Sequence, residues 1–403
     1  MTTTKNTEHK KLNVPNLRFP EFEEEWEELG LSELLDFKNG LNPKPDKFGK
    51  GIKFISVMDI LNNAVITYDC IKASVDVTEK ELSDFSVEKG DILFQRSSET
   101  LEDVGRANVY MDDKTAVFGG FVIRGKKKGE YDPQYFNYLL RSPFARKRII
   151  PMGAGAQHFN IGQEGLSKVK LHFANIEEQK KIGRMLSLLD ERIATQNKII
   201  DKLQSLIKGI SNQLLYANNG ISVFLGEILI ERSERTKENN QHEVLSSTVK
   251  GIFSQREYFS KDIASENNVG YKIIRLHDVV LSPQNLWMGN INYNGKFDVG
   301  IVSPSYKIFS IAEGFDKEYI AATLKTHRAL YNYMLVSEQG ASVVRRNLNM
   351  EEFEQLVFKI PSFDQQQKIG RTISVLNLRL ELANKQKTLY EKEKQYLLRQ
   401  IFI

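Results

Sequence analysis

Two stretches of the chain carry apolar residues at alternating intervals of four and three. The first runs from Leu189 to Leu214 and the second from Leu376 to Ile401. An apolar seam with a mean period of about 3.5 residues is typical of an α-helix that pairs with another helix. The pattern therefore predicts two long helices whose seams must be covered. The seam positions are Leu189, Ile193, Gln196, Ile200, Leu203, Ile207, Ile210 and Leu214 in the first helix, and Leu376, Leu380, Ala383, Lys387, Tyr390, Lys394, Leu397 and Ile401 in the second.

The two helices are predicted to pair with each other, because they match in length. The alternative is that each helix packs on its own domain, but a face that packs on a domain is normally wider than a strict seam. Since the first helix leaves one domain and its chain then enters another, an antiparallel pair would hold the domains at opposite ends. Such a pair of about 25 residues, at ~1.5 Å per residue, would be ~38 Å long.

Shorter segments elsewhere alternate apolar and polar residues and are bounded by Gly, Asn and Asp. Ile52–Val57, Asp91–Phe94 and Ala116–Phe118 follow this pattern and are predicted to be strands, whereas Gln134–Arg141 has helical spacing. The predicted fold is α+β, with two similar globular domains separated by a long antiparallel two-helix coiled coil. The predicted divisions are a polar tail over 1–16, domain 1 over 17–172, a spacer helix region over 173–217, domain 2 over 218–360 and a second spacer helix region over 361–403.

The second half of the chain repeats the first. Lys181–Arg184 and Lys368–Arg371 have the same sequence at an offset of 368 − 181 = 187, and Asn160 and Asn347 keep that offset. A repeat this long exceeds the ~20–50 residues of a solenoid unit. It is a duplicated domain with its attached helix. Between the matching positions the halves differ almost completely. A chain made of two like halves is suited to binding a target that itself has two parts.

Composition narrows the function classes. The chain is 41% apolar with a net charge of +4, which permits nucleic acid as a partner without requiring it. The one cysteine, Cys70, excludes an internal disulfide and a cysteine-based zinc site, and the six histidines show no metal-ligand spacing. The N-terminus has no apolar signal region and no apolar run approaches ~18 residues. We therefore expect a cytoplasmic protein with no metal site and no membrane partner.

Catalytic motifs are also missing from the sequence. Gly153–Ala156 is Gly-rich, but it lacks the lysine of a phosphate-binding loop and does not follow a strand. The sequence has no amino-methyltransferase motif and no G-x-S-x-G, and its carboxylates form no pair at a fixed spacing. We therefore expect no catalytic residues and no cofactor in this chain.

These features resemble the specificity subunit of type I restriction–modification enzymes. The resemblance covers essentially the whole chain and depends on the duplication, on the passage from Gly153 through Asn160 to Phe173, and on Ile176–Ile182 with its heptad helix. Phe363–Ile369 is a degraded copy of that signature. The family usually has a Pro-rich segment before the Glu-Glu-Gln, where this chain has Phe173–Ile176 and retains only Pro361 in the second copy.

The resemblance implies that each domain is a target-recognition domain for one part of a split, asymmetric DNA sequence. The helix pair would then be a spacer, and its ~38 Å length is close to the ~34–36 Å between half-sites one duplex turn apart. The family's chemistry belongs to its partners, namely two methyltransferase subunits and the restriction subunits. S-adenosylmethionine, ATP and Mg²⁺ are therefore expected in the partner subunits.

DNA-contacting residues are predicted from their side chains and their place after strands. Arg, Asn and Gln suit base edges, and basic side chains suit phosphates, which position DNA without specifying its sequence. The predicted base readers are Gln95, Arg96, Ser97, Ser98, Arg106 and Asn108 in domain 1, and Gln284, Asn285, Trp287 and Asn290 in domain 2. The predicted phosphate contacts are Arg124, Lys126, Lys127, Lys128, Arg146, Lys147, Arg148, Gln157, His158, Arg345 and Arg346.

Two other classes of function stay open. One is a DNA-modifying enzyme with its own active site, which would cleave DNA or bind S-adenosylmethionine as an isolated chain. The other is a coiled-coil scaffold that never touches DNA. Salt-dependent DNA binding separates the scaffold from a specificity subunit, because each phosphate contact steepens the dependence of log K on log salt by ~0.9.

Overall fold

The structure is a computed structural model that describes residues 13–215, 220–258, 267–339 and 346–403. Its helices and strands form two compact units. Of the described residues, those up to 197 and those from 385 to 403 form unit 1, and those between 198 and 384 form unit 2. The C-terminal residues therefore belong with the first half of the chain, although they follow the second half in sequence.

Unit 1 contains two four-stranded sheets. The order of the first is β2-β10-β6-β8, with all neighbours antiparallel, and the order of the second is β4-β3-β9-β5, in which only β3 and β9 are parallel. Two shorter pairs, β1 with β12 and β7 with β11, are antiparallel. The strands are β1 (Glu27–Gly30), β2 (Leu35–Asn39), β3 (Phe48–Ile55), β4 (Ser74–Val75), β5 (Ser86–Val87), β6 (Ile92–Gln95), β7 (Ser97–Ser98), β8 (Ala107–Val109), β9 (Ala116–Phe118), β10 (Val122–Lys127), β11 (Phe159–Asn160) and β12 (Lys170–Phe173).

Short helices cover these sheets and a long helix follows them. Trp26, Tyr135 and Phe136 are buried in the main core of unit 1. Phe402, near the C-terminus, joins the same core with its ring 6.4 Å from Trp26. The helices are α1 (Leu31–Leu34), α2 (Val57–Asn62), α3 (Glu79–Phe85), α4 (Pro133–Arg141), α5 (Pro143–Ile149), α6 (Gln163–Ser167) and α7 (Ile176–Leu215).

Unit 2 repeats the first sheet of unit 1 as β14-β21-β18-β19, and repeats the β1–β12 pair as β13–β24. Its other strand pairs are β15–β16, β17–β20 and β22–β23. The strands are β13 (Ile221–Phe224), β14 (Leu229–Arg232), β15 (Leu245–Thr248), β16 (Gly251–Ser254), β17 (Lys272–Arg275), β18 (Val279–Leu281), β19 (Ile291–Tyr293), β20 (Val299–Val302), β21 (Lys307–Ile311), β22 (Ser337–Gln339), β23 (Arg346–Leu348) and β24 (Val357–Ile360). The helices are α8 (Leu225–Ile228), α9 (Gln255–Tyr258), α10 (Lys317–Thr323), α11 (His327–Leu335), α12 (Met350–Glu354) and α13 (Phe363–Gln400).

The long helices α7 and α13 pair in the antiparallel sense. In unit 1, Asp190 near the start of α7 forms an ion pair with Lys394 near the end of α13, at 2.5 Å. In unit 2, Leu215 at the end of α7 and Ile373 near the start of α13 share one core. Every predicted seam position is buried or half-buried, while most residues between them are exposed. The mixed α+β fold and the long helix pair are therefore as the sequence predicts.

Candidate nucleic-acid interface

Two of the predicted DNA-contacting segments of unit 1 lie side by side. β7 pairs with β11, so that Ser97 lies opposite Asn160 and Ser98 opposite Phe159. The Ser97 hydroxyl donates a hydrogen bond to the Asn160 side-chain carbonyl. We call Arg96–Ser98 together with Gln157–Asn160 the paired-loop edge. The sequence singled out both segments but gave no sign that they meet.

Arg96 is fixed at this edge by its backbone. Its N–H donates to the Phe121 carbonyl at 2.9 Å, and its carbonyl accepts from the Ile161 N–H at 2.9 Å. The guanidinium is half-exposed and its Nη1 lies 3.4 Å from the Gly120 carbonyl, near the limit for a hydrogen bond. Arg96 thus has a rigid base and further donors that can serve a ligand.

A tight turn presents Gln157 and His158. Ala154 and Asn160 exchange two backbone hydrogen bonds of 2.8 and 2.9 Å, which close the turn. Gly155 has φ +145° and a Cβ there would overlap the His158 carbonyl, so only glycine fits. Gln157 and His158 are both exposed. The Gly-rich segment is therefore a loop that supports two polar side chains.

Two predicted base readers of unit 1 are structural instead. Asn108 is 0% exposed, and its Nδ2 donates to the carbonyls of Ile60 and Asn63 at 3.0 and 2.8 Å. Gln95 is buried and donates to the Ser97 carbonyl at 2.9 Å. Neither side chain can present its amide to a base, and both predictions are wrong in this structure. Burial in the sheet is a tertiary property that the sequence pattern does not show.

Basic residues along β10 have internal partners. Arg124 is buried, donates to the Ser86 carbonyl and lies over the Phe118 ring, so its predicted phosphate contact is wrong in this structure. The lysines that follow make weaker contacts near the surface, which solvent or a ligand can replace. Lys126 lies near Glu88, Lys127 donates to the Tyr131 carbonyl, and Lys128 donates to the Ser32 carbonyl.

Arg106 and Arg146 lie at a cavity of about 470 Å³ in unit 1. Arg146 donates to the Glu102 and Val104 carbonyls at 2.8 and 2.7 Å, while its Nη1 is buried and has no partner among the described residues. Burial and the nearby Arg106 guanidinium lower the pKa of Arg146 to about 10. Arg106 itself is exposed and pairs with Asp103 at 2.6 Å. These arginines keep donors for an anion, and base reading by Arg106 stays a prediction.

The two other basic residues of α5 differ in their contacts. Lys147 is exposed. Arg148 is also exposed, but it donates to Glu28 at 3.1 Å and to the Lys170 carbonyl at 2.9 Å. Lys147 is the better placed of the two for a phosphate.

Unit 2 has an edge at the equivalent place. The Arg346 N–H donates to the Gln284 carbonyl at 3.2 Å, which brings β23 next to the segment after β18. The Arg346 guanidinium lies over the half-exposed Trp287 ring, 4.7 Å from its centroid. Gln284 is exposed and Asn285 half-exposed. Arg345 lies outside the described residues.

Asn290, the remaining base reader predicted in unit 2, is buried. Its Oδ1 accepts from the Ser247 hydroxyl at 2.8 Å and its Nδ2 donates to the Ser247 carbonyl at 3.1 Å. Asn292 joins the same network through the Ser247 hydroxyl at 2.7 Å. The prediction for Asn290 is wrong in this structure, because both ends of its amide hold β15 against β19.

Two exposed residues, one within the paired-loop edge and one beside it, were not predicted from the sequence. Phe121 follows Gly119-Gly120 in the turn between β9 and β10 and is 68% exposed. Asn160 was used only as an anchor of the repeat, yet its side chain meets Ser97 and is exposed. A Gly-Gly-aromatic turn between two apolar strands is the signal that could have indicated Phe121.

Comparison with known proteins finds similarity to one family. The family model for the type I restriction modification DNA specificity domain matches residues 23–205. The chain is 22% identical over 417 residues to the type I restriction enzyme MjaX specificity subunit of Methanocaldococcus jannaschii, covering 97% of this chain and 96% of that protein. It is also 22% identical over 189 residues to the EcoKI specificity subunit of Escherichia coli K12, covering 45% and 39% of the two chains.

Solved structures share the fold over the same length. The S subunit of a type I restriction–modification system from M. genitalium matches with a TM-score of 0.61 at 16% identity, covering 97% of this chain and 99% of that one. A chain from a study of complex assembly in the type I system matches with a TM-score of 0.51 at 11% identity, covering 93% and 96%. Over nearly its whole length the chain is therefore similar to type I restriction–modification specificity subunits, and its residues 23–205 match the DNA specificity domain of that family.

Among the described residues, no helix is both long and apolar enough to cross a membrane. In the same part of the chain, no three His, Cys, Asp or Glu side chains come together as metal ligands.

Proposed function

We propose that this chain binds a two-part, asymmetric DNA site, with each unit reading one part. The observation that carries the proposal is that one scaffold position has different side chains in the two units. The segment after β6 presents Arg96–Ser98 beside β11, and the segment after β18 presents Gln284–Trp287 beside β23. Different donors and acceptors on one scaffold are what two different half-sites require.

The chain also scaffolds the methyltransferase and restriction subunits in this proposal. A second apolar stripe on α13 supports this role, because it lies outside the seam and is more than half exposed at Leu378, Leu382, Leu389 and Tyr396. Exposed apolar stripes of this length mark interfaces with other proteins. The stripe keeps intervals of four or seven residues, which suits helices of a partner.

The chain itself is non-catalytic in this proposal. Methylation of adenine with S-adenosylmethionine and cleavage driven by ATP and Mg²⁺ belong to the partner subunits. A stand-alone methyltransferase or nuclease is the alternative, and a scaffold without DNA contact is another. DNA cleavage or S-adenosylmethionine binding by the purified chain would favour the enzyme, and salt-insensitive or absent DNA binding by the assembled complex would favour the scaffold.

The test is an exchange of recognition segments followed by methylome sequencing. Unit 1 of a relative replaces residues 17–172 together with 385–403, because Phe402 packs on Trp26 and Tyr135 in one core. We expect the methylated motif to change in one part and to keep the other. The matched control exchanges residues 218–360 and should change the opposite part. If either exchange altered both parts together, independent reading by the two units would be disproved.

A further inference from the structure

The aromatic side chain of Phe121 is exposed to solvent. It is 68% exposed, at the turn between β9 and β10. An exposed ring of this size on a turn contributes little to the core, whereas Phe118, three residues earlier, is fully buried. The position therefore calls for an explanation outside the stability of the fold.

The turn that carries Phe121 is rigid. The Gly119 N–H donates to the Ile55 carbonyl at 3.0 Å, which ties the turn to β3, and the Val122 N–H donates to the Gly119 carbonyl at 2.8 Å, which closes the turn. A Cβ on Gly120 would overlap the Asn42 amide, so the Asn42 side chain lies close against this turn. The ring is thus presented on a fixed support, which limits the entropy lost when it binds.

The neighbours of Phe121 are hydrogen-bonding groups. Its carbonyl accepts from the Arg96 N–H at 2.9 Å, and Arg96 leads directly into Ser97, whose hydroxyl bonds Asn160. The Arg96 guanidinium also reaches the Gly120 carbonyl, at 3.4 Å, so it lies close to the turn that carries the ring. A ring on a turn next to a guanidinium, with a hydroxyl and an amide on the adjoining segment, suits the stacked and hydrogen-bonding faces of nucleic-acid bases.

Unit 2 has no aromatic residue at this position. β10 and β21 correspond at an offset of 307 − 123 = 184, because Ile123 pairs with Phe94 and Lys307 pairs with Leu281. At the same offset, the residue of unit 2 that corresponds to Phe121 is Ser305, which is exposed. The ring is therefore a feature of one half and not of the shared scaffold.

We propose that Phe121 is an apolar wedge that stacks on a base step of the half-site read by unit 1, next to the base edges reached by Arg96. Side chains such as Phe open base steps and stack on the exposed base face in many DNA complexes. This inference rests on the proposed function, since it needs unit 1 to bind DNA. It adds a contact that reads the deformability of a step rather than its hydrogen-bonding pattern.

The experiment uses the full chain assembled with a methyltransferase subunit, and a duplex carrying the motif found by methylome sequencing. The base analogue 2-aminopurine is placed at successive positions of the unit 1 half-site. With the unaltered chain, fluorescence should rise at one step because a base there loses its stacking partner. Phe121→Ala should abolish the rise and weaken cognate binding about 5- to 150-fold, the range for loss of one base–aromatic stack.

Three variants make the result specific. Phe121→Trp should keep both the signal and the affinity, whereas Phe121→Leu should lose most of the affinity because it cannot stack. Met58→Ala, which removes another exposed apolar side chain of unit 1, should change neither. Unchanged thermal unfolding of each variant confirms that the fold is intact.

Several outcomes would contradict the proposed role of Phe121. Phe121→Ala with unaltered cognate affinity and unaltered fluorescence would remove it from the DNA interface. Loss of the methyltransferase subunit with DNA binding retained would assign the ring to a protein partner. Full affinity in Phe121→Leu would replace stacking by simple apolar contact. Failure of the unaltered complex to bind its methylated motif would instead count against the proposed function itself.

Discussion

Gln179 accepts a hydrogen bond from the Asp132 N–H at 3.0 Å and donates one to the Ala174 carbonyl at 2.8 Å. Unit 2 repeats this pair of hydrogen bonds, because Gln366 accepts from the Asp316 N–H at 2.9 Å and donates to the Pro361 carbonyl at 3.0 Å. Both glutamines are buried. The glutamine shared by the two copies thus joins a long helix to the first turn of the domain helix beside it, which explains its place in the repeat.

Replacing the glutamine should destabilise the unit that contains it. Gln366→Leu leaves the part-buried Asp316 N–H and Pro361 carbonyl without the partners that Gln366 supplies, which we expect to cost about 1–3 kcal/mol of unfolding free energy. Gln365→Leu changes the exposed neighbour on the same helix and should cost less than about 0.5 kcal/mol. Urea denaturation measures both. Equal effects of the two variants would show that the two hydrogen bonds of Gln366 contribute nothing to the free energy of unfolding.

The glycine of the repeated Lys-Ile-Gly-Arg segment is also explained by the contact between the long helix and the domain helix beside it. A Cβ on Gly183 would lie 2.7 Å from Asp132 Oδ1 and 2.9 Å from the Tyr135 nitrogen, whereas a Cβ on Gly209 of the same helix meets no atom within 4 Å. We expect Gly183→Ala to destabilise by about 1–3 kcal/mol through crowding. Gly209→Ala should stabilise by about 0.5–1 kcal/mol, because alanine favours helix. Thermal unfolding of the two variants should therefore shift in opposite directions.

The sequence predicted features that are local or periodic. The seams of α7 and α13 were predicted because their period of about 3.5 is visible without any tertiary information. The repeat anchors were found for the same reason, although the contact between Gln179 and Asp132 was not. The sequence could not show which polar side chain after a strand points inward, and so Asn108 and Asn290 were misread while Phe121 was missed.

The ion pair between Asp190 and Lys394 distinguishes the two halves of the helix pair. The Tyr138 hydroxyl also donates to Asp190, at 2.7 Å, and both members of the ion pair are about one-fifth exposed. At the offset of 187, unit 2 has Asn377 and Ile207 at these two positions. A double-mutant cycle with Asp190→Asn and Lys394→Ile should give a coupling energy of about 1–3 kcal/mol. The exposed pair Lys387–Glu391 should give about 0.5 kcal/mol or less.

The double-mutant cycle also has an outcome that would contradict this prediction. If the two single changes were additive, Asp190 and Lys394 would not select each other, and the register of α7 against α13 in unit 1 would be set by the apolar seam alone. Strong coupling would instead make the pair a device that fixes this register, as single polar residues in coiled-coil seams do.

Protonation of His277 should weaken unit 2. Burial and, to a smaller extent, Lys317 lower the pKa of His277 from its ordinary value of 6.5, and its Nδ1 lies 2.6 Å from the Tyr293 hydroxyl. The folded state therefore binds the proton less tightly than the unfolded state. The stability contributed by neutral His277 is present above pH 6.5 and is lost as the pH falls towards the lowered pKa.

Urea midpoints measured from about pH 7.5 down to about pH 5 test this prediction, because the window brackets the ordinary histidine pKa. We expect His277→Gln to show a smaller fall in midpoint over this range than the unaltered chain. The two proteins differ only at this residue, so the difference between the two curves isolates His277. A parallel pair of curves would show that its protonation is not linked to folding.

Arg96 and Lys147 should affect DNA binding in different ways. Arg96 lies at the paired-loop edge with donors left over for a base, whereas Lys147 is an exposed side chain on α5. Arg96→Ala should cost about 1–3 kcal/mol on the cognate half-site and relax its sequence preference. Lys147→Ala should weaken cognate and random duplexes equally and lower the slope of log K against log salt by about 0.9.

Arg96→Lys separates charge from geometry, since lysine keeps the positive charge but cannot make the two parallel hydrogen bonds that arginine makes to guanine. If base reading is the role of Arg96, this variant should lose specificity almost as fully as Arg96→Ala while retaining the salt slope. Equal losses on cognate and random DNA for Arg96→Ala, restored by Arg96→Lys, would make Arg96 a phosphate contact. Specific reading by unit 1 would then have to come from Ser97, Asn160 and the turn that presents Gln157.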